Sequence, residues 1–151
     1  MSKVLGVDYG GQRTGVAISD ESRMIAFPRE TLHCPRVEQA AAAVARLAEA
    51  ERVLEIVVGY PINMNGSLGD RTLRTDEFMA ELAKRTDISL KKWDERLSTK
   101  IAEAVLIEAG TSREKRRGVV DKLAAQVILQ GYLDSMAPAP LGNEEAEWEN
   151  P

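Results

Sequence analysis

The stretch "KVLGVDYGGQRTGVAIS", from Lys3 to Ser19, decides the fold of this chain. In its first and last parts apolar residues alternate with other residues, as in β-strands, and the glycines between them supply a tight turn. The segment therefore predicts a β-hairpin. Asp8 is the one acid in this stretch and stands at the end of the first strand. Three explanations of Asp8 are open: a phosphate-cradling loop, a metal ligand or an ordinary hairpin turn.

Beyond the hairpin, the same kinds of pattern predict three more strands and four helices. The third strand is interrupted by Pro28, which suits an edge strand or a bulge. The predicted strands cover 3–9, 14–19, 24–32, 52–59 and 88–93, and the predicted helices cover 36–51, 70–86, 98–109 and 119–135. This order, βββαβαβαα, predicts the α/β class, with a mixed five-stranded sheet flanked by helices on both faces.

Length and charge predict one domain over residues 1–136 and a disordered acidic tail over 137–151. From Leu133 onward the chain has five acids and no lysine or arginine, so residues 1–132 hold 20 basic against 19 acidic side chains despite the net charge of -4. Within that near-neutral body the segment 113–122 is a basic cluster. A nucleic-acid partner therefore stays open.

Composition excludes several other classes of protein. No apolar run is long enough to span a membrane, and the N-terminus lacks the pattern of an export signal, so we expect a cytoplasmic protein without a membrane partner. The single cysteine, Cys34, cannot form an internal disulfide or support a thiolate zinc site.

Acids stand at the ends of the first and last predicted strands, where α/β sheets bind ligands: Asp8 at the first, and Asp94 with Glu95 at the last. A third acid, Asp121, is on the apolar face of the last helix, where a carboxylate is costly unless it is paired or binds a metal. Oxygen ligands of this kind suit Mg²⁺ or Mn²⁺ rather than zinc, and the only histidine, His33, is expected to be remote. The set predicts a metal site able to stabilise the attacking and leaving oxygens of a phosphodiester.

Structural explanations of the same acids remain open. Asp121 could favour the helix dipole from the first turn of its helix. Asp94 and Glu95 could form a solvated turn with Arg96, and strand alternation does not decide which of the two faces inward. Asp8 could be a plain strand-end residue.

The glycine-rich loops match no nucleotide-binding motif. The first lacks the spacing G-x-G-x-x-G, and "GYPINMNGS" from Gly59 lacks the lysine of a P-loop. Backbone amides of the second loop, with Asn63 beside Arg71, could hold a phosphodiester backbone or could simply form a turn. An ATPase or kinase lobe also opens with a strand, an Asp and glycines, but it needs two lobes and this chain is too short for them.

Four ordered blocks resemble one known family. They are "GVDYGGQRTGVA" at 6–17, "VVGYPINMNGSLGDR" at 57–71, "DERLST" at 94–99 and "VDKLAAQVILQGYLD" at 120–134. Together they are similar to the YqgF family of bacterial proteins, also called the RuvX family. The resemblance implies an RNase H-like fold, with Asp8, Asp121 and one member of the acidic pair as the catalytic, metal-binding set. Within the pair we expect Glu95, with Asp94 as the alternate.

The resemblance also implies a Mg²⁺- or Mn²⁺-dependent nuclease. Processing of the 5′ end of pre-16S ribosomal RNA is the expected reaction, and cleavage of branched DNA as a Holliday junction resolvase is the alternative. A non-cleaving RNA-binding factor of ribosome assembly is the alternative of another class, and either a monomer or a homodimer is open. The residues expected to contact nucleic acid are Arg13, Asn63, Arg71, Arg96, Arg116, Arg117 and Lys122.

Overall fold

The structure is a computed structural model that describes residues 2–62, 65–94 and 113–136, the last range with side chains from 123 onward. Its strands are β1 (Val4–Tyr9), β2 (Arg13–Ser19), β3 (Ala26–His33), β4 (Glu55–Tyr60) and β5 (Ser89–Asp94). Its helices are α1 (Val37–Glu51), α2 (Asp70–Ala83) and α3 (Arg113–Met136). The helix predicted over 98–109 and the tail over 137–151 lie outside the described residues.

The strands form one mixed sheet in the order β3-β2-β1-β4-β5. β2 is antiparallel to both of its neighbours, whereas β1, β4 and β5 are parallel and end at the same edge. In the hairpin turn the Gly10 amide donates to the Arg13 carbonyl at 2.9 Å, and Gly11 has a positive φ of 90° that favours glycine. Pro28 is on the edge strand β3, beside a break in the register with β2, so the predicted mixed sheet and edge strand are confirmed.

Helices cover both faces of the sheet. Leu5 and Val7 of β1 pack in a core cluster with α1 and α2, whereas Val4 packs in a second cluster with α3. Side chains alternate along a strand, so Asp8 shares the face of Val4 and Gly6 and lies on the α3 face. Along the ranges that the structure describes, no helix is long and apolar enough to cross a membrane.

The last helix begins earlier than the sequence predicts. Apolar periodicity starts only at Val119, but the charged segment 113–117 consists of good helix formers and is already helical. Asp121 is therefore eight residues inside α3 and not in its first turn. The expectation that Asp121 lies in the first turn was wrong. The helix-dipole explanation of this acid is therefore excluded, because that effect fades within one turn.

α3 runs antiparallel to β1. Its C-terminal part lies over the start of the strand, where Tyr132 packs with Val4. Further back along the helix, Leu129 and Ala125 lie against Gly6, with no room for a side chain between them. The earlier turns of α3 therefore lead towards the end of β1 that carries Asp8.

The contact between Tyr132 and Glu55 fixes this helix to the start of β4. The Tyr132 hydroxyl donates a short hydrogen bond to the Glu55 carboxylate. Burial, and then this carboxylate, raise the pKa of Tyr132 to about 12. Because the ordinary pKa is 10, the neutral, hydrogen-bonded hydroxyl is fully present below pH 10, and the stability linked to it is lost as the pH rises from 10 through 12.

Tyr132→Phe is expected to lower the free energy of unfolding by about 1–3 kcal/mol at pH 8, because it removes the donor and leaves the partly buried Glu55 carboxylate unpaired. The difference between wild type and variant should shrink as the pH rises from 10 to 12. Urea unfolding of both proteins over this range measures it. A difference that stays constant across the range would show that ionisation of Tyr132 is not linked to folding.

Candidate active site

Asp8 is bordered by glycine on both neighbouring strands. In the register of β1 and β2 it pairs with Gly15. The parallel register that pairs Val7 with Val58 brings Asp8 level with Gly59 of β4. Both glycines are buried and share the α3 face. Since neither carries a side chain, the neighbouring positions on β2 and β4 place no side chain beside the half-buried Asp8 on this face.

The end of β5 lies beside Gly59, on the far side from Asp8. Gly59 pairs with Trp93, and Trp93 packs against the α3 cluster, with its ring 5.8 Å from that of Tyr132 in an edge-on arrangement. The next residue, Asp94, alternates to the other face.

Lys92 confirms this phase, because it shares the face of Asp94. Its ammonium group lies 3.4 Å from the carboxylate of Asp76 on α2 and 4.3 Å from the centre of the Tyr60 ring. Asp94 and Asp8 therefore lie on opposite faces of the sheet. Strand alternation in the sequence alone could not decide this, because both faces are covered.

The position of Asp121 along α3 matches the level of Asp8. From Ala125 back to Asp121 the helix advances about 6 Å. From Gly6 to Asp8 the strand advances about 6.6 Å in the corresponding direction. Since Gly6 lies against Ala125, we expect the turn of α3 that contains Asp121 near the carboxyl end of β1.

Several predicted site residues lie where the structure gives no side chain. Glu95, Asn63 and Arg96 fall outside the described residues. The α3 members, whose backbone alone is described, are Arg116, Arg117, Asp121 and Lys122. Among the side chains that are described, no three of the types His, Cys, Asp or Glu converge as a metal site. The three-carboxylate set remains a prediction.

The loop after β4 lies at the same edge of the sheet and leads into α2. Thr72 of α2 donates to the carbonyl of Pro61 at 2.8 Å, which ties the start of the loop to the helix. The Asn65 side chain accepts from the Ser67 amide at 2.9 Å. Arg71, in the first turn of α2, is exposed at this edge, where it can meet a phosphate.

His33, expected from the sequence to be remote from the site, lies directly across from Arg13 in the pairing of β2 with β3. Together with the hairpin turn these residues line an open cleft of about 550 Å³. Its lining residues are Gly10, Gln12, Arg13, His33 and Pro35. No local motif joins positions 13 and 33, so only the strand register reveals the pair.

Comparison with known proteins shows that the chain is similar to one family over most of its length. The model of the family described as "RuvX: Holliday junction resolvase" matches residues 2–135. A protein of Halothermothrix orenii named "Putative pre-16S rRNA nuclease" is 49% identical over 132 residues, covering 87% of this chain and 94% of the relative. A protein of the same name from Symbiobacterium thermophilum is 46% identical over 138 residues, covering 91% and 96%.

Solved structures support the fold. Thermus thermophilus RuvC in complex with Holliday junction substrate superposes with a TM-score of 0.58 at 14% identity, covering 91% of this chain and 97% of that one. The Fowlpox virus resolvase with substrate Holliday junction DNA gives a TM-score of 0.57 at 12% identity, covering 90% and 99%. At these identities the likeness concerns the fold alone, and it confirms the predicted RNase H-like architecture.

Proposed function

This chain belongs to the RuvX family, and from that premise we propose that it is a divalent-metal-dependent nuclease whose reaction is 5′-end processing of pre-16S ribosomal RNA. The observation that carries the proposal is the setting of Asp8. Its carboxylate stands at the shared end of three parallel strands, between Gly15 and Gly59. An acid at this edge with glycine at both neighbouring strand positions suits a site that holds a charged ligand, since a β-strand otherwise disfavours acids.

The donors at this edge fit Mg²⁺ or Mn²⁺. Asp8, Glu95 and Asp121 would supply only carboxylate oxygens, which these ions prefer. A side chain at Gly15 or Gly59 would project beside Asp8 on the same face of the sheet. Bound there, a divalent ion would polarise the scissile phosphate and lower the pKa of an attacking water.

Glu95 is favoured over Asp94 as the ligand from β5. Asp94 lies on the face of α1 and α2, opposite to Asp8. Glu95 is the next residue, and continued alternation from Trp93 would return it to the α3 face. Glu95 would then share the face of Asp8, two residues beyond Trp93, the residue that pairs with Gly59.

Basic residues would hold and orient the substrate. Arg13 and Arg71 flank the catalytic edge on two sides, and the basic segment 113–122 forms the start of α3 above it. Guanidinium and ammonium groups neutralise phosphates and fix the register of a bound strand without reading its bases.

RNA is the favoured substrate because the relatives named for pre-16S rRNA are 49% and 46% identical to this chain, whereas the resolvases solved with junction DNA are 14% and 12% identical. The deciding experiment incubates purified protein with end-labelled precursor RNA spanning the 16S 5′ end, and separately with a four-way DNA junction. Each reaction is run with Mg²⁺, Mn²⁺ or EDTA.

We expect the labelled RNA to be cut at a discrete position with either metal and to stay intact in EDTA. Cleavage of the junction alone, together with a homodimer in solution, would identify a resolvase instead. A gel shift of the RNA without cleavage in any metal would identify a non-cleaving assembly factor.

A further inference from the structure

The cleft beside the hairpin turn is held by backbone bonds from both of its walls. The turn closes through the Gly10 amide, which donates to the Arg13 carbonyl at 2.9 Å. The amide of Cys34 donates to the Gln12 carbonyl at 3.0 Å, so the end of β3 is fixed to the turn. The positions of Arg13 and His33 are therefore set by the sheet and not by a loose loop.

A bulge in β3 turns His33 towards the face of Asp8. Ala17 pairs with Pro28 but Val16 pairs with Glu30, so Arg29 is an extra residue on the edge strand. One inserted residue reverses the side-chain phase of everything that follows it. Without the bulge, His33 would share the face of α1 and α2.

The packing of β2 and β3 agrees with this phase. Ala17 belongs to the α3 cluster, so Arg13, four residues earlier on β2, has the same face. Leu32, just before His33, packs on the opposite side with α1 and α2. By strand spacing and rise, Arg13 is about 8 Å and His33 about 12 Å from Asp8 along the sheet.

The chemistry of the cleft suits an anion. Arg13, the Gln12 side-chain amide and the His33 imidazole all offer N–H donors, and the described residues that line the cleft include no carboxylate. The nearest acid along β3, Glu30, is paired with Arg29 at 3.6 Å. A phosphodiester fits donors of this kind, and the distance from Asp8 corresponds to a neighbouring part of the same bound strand.

We propose that His33 and Arg13 form a phosphate subsite that holds the nucleic-acid strand on the β3 side of the scissile bond. This inference rests on the proposed nuclease function, since it assigns a subsite to the same bound strand. The β3 bulge is the feature that builds the subsite, because it aligns His33 with Arg13 and Asp8 on one face.

Because His33 is the only histidine of the chain, its chemical modification can be followed without ambiguity. Wild-type protein in EDTA is treated with diethylpyrocarbonate, with and without the precursor RNA, and the modification of His33 is measured by mass spectrometry. Saturating RNA should slow it by at least about five-fold, because a bound phosphate would cover the imidazole. An RNA that shifts the protein in a gel but leaves the rate unchanged would overturn the subsite.

A matched pair of arginine variants tests the same subsite by affinity. Arg13 is the first residue of β2, and Arg23 lies in the turn that follows the other end of this strand. Arg13→Gln and Arg23→Gln each remove one positive charge. Arg13→Gln and His33→Ala should each raise the RNA Kd by about five- to ten-fold and raise KM with kcat little changed, since they act on binding and not on the chemical step. Arg23→Gln should leave Kd within about two-fold.

Equal weakening by Arg13→Gln and Arg23→Gln, with His33→Ala silent, would contradict the subsite while leaving the nuclease proposal intact. Wild-type protein that binds the RNA and shows protection of His33, but does not cleave the RNA with either metal, would contradict the nuclease proposal. The phosphate subsite would still be supported. Absence of any RNA or junction binding would overturn both.

Discussion

Substitution of Asp8 by asparagine is expected to lower the rate of RNA cleavage by at least about 1,000-fold. The variant keeps the size of the side chain but removes the charge that would hold a divalent ion. Its neighbours Gly15 and Gly59 carry no side chains that the change could disturb. The fold should therefore survive, and RNA binding through the basic residues should remain. Single-turnover cleavage, a gel shift and thermal unfolding measure the three effects.

Asp87→Asn is the matched control for this variant. Asp87 is exposed and precedes β5, at the opposite end of the sheet from Asp8. It loses the same charge by the same substitution, so its cleavage rate should stay within about two-fold of wild type. Wild-type cleavage by Asp8→Asn would remove this carboxylate from the mechanism, and an unfolded Asp8→Asn protein would instead mean that the acid is structural.

Gly6→Ala is expected to impair both stability and activity. A Cβ atom at this position would lie 2.7 Å from the Leu129 Cβ and 3.2 Å from the Ala125 carbonyl oxygen, so α3 would have to move away from β1. Overpacking of this kind costs about 1–3 kcal/mol. Because the same helix carries Asp121, a shift of about 1 Å at the site could lower the cleavage rate by about 100-fold. Urea unfolding and single-turnover cleavage test the two effects.

Gly131→Ala is the control for Gly6→Ala, since it adds the same atom on the other side of the same interface. There the new Cβ would lie 3.2 Å from the Trp93 Nε1, an atom of a partly exposed side chain and not of the backbone, so only the Trp93 ring would have to shift. Alanine also favours the helix by about 1 kcal/mol over glycine. The variant should be as stable as wild type or slightly more so. Equal stability of both alanine variants would show that close packing at Gly6 does not fix α3.

The sheet could be predicted from the sequence because its signals are local. Alternation, the glycine turn at Gly10 and the proline in β3 each act over a few residues, and the structure confirms all three. The start of α3 could not be found in this way. The segment 113–117 is charged, so it carries no apolar period, and its helical propensity alone gives no boundary.

The site was predictable only in part, for the same physical reason. Asp8 could be identified because an acid is costly in a strand. The choice between Asp94 and Glu95 depends on the face of the sheet on which Trp93 packs, and the sequence does not show this. The pairing of His33 with Arg13 depends on a one-residue bulge, which no sequence period reveals. A shift of one residue in the strand alternation therefore changes which side chains lie on the same face. Tertiary packing, and not the local sequence, determines that shift.

We expect the cleavage site on the α3 face of the sheet, at the shared end of the parallel strands. The most direct test compares Glu95→Gln with Asp94→Asn in single-turnover cleavage of the precursor RNA with Mn²⁺, since the two adjacent acids are expected on opposite faces. Glu95→Gln is expected to lower the rate by at least about 100-fold, while Asp94→Asn should stay within about three-fold of wild type. Loss of cleavage in Asp94→Asn with a normal rate in Glu95→Gln would contradict this expectation.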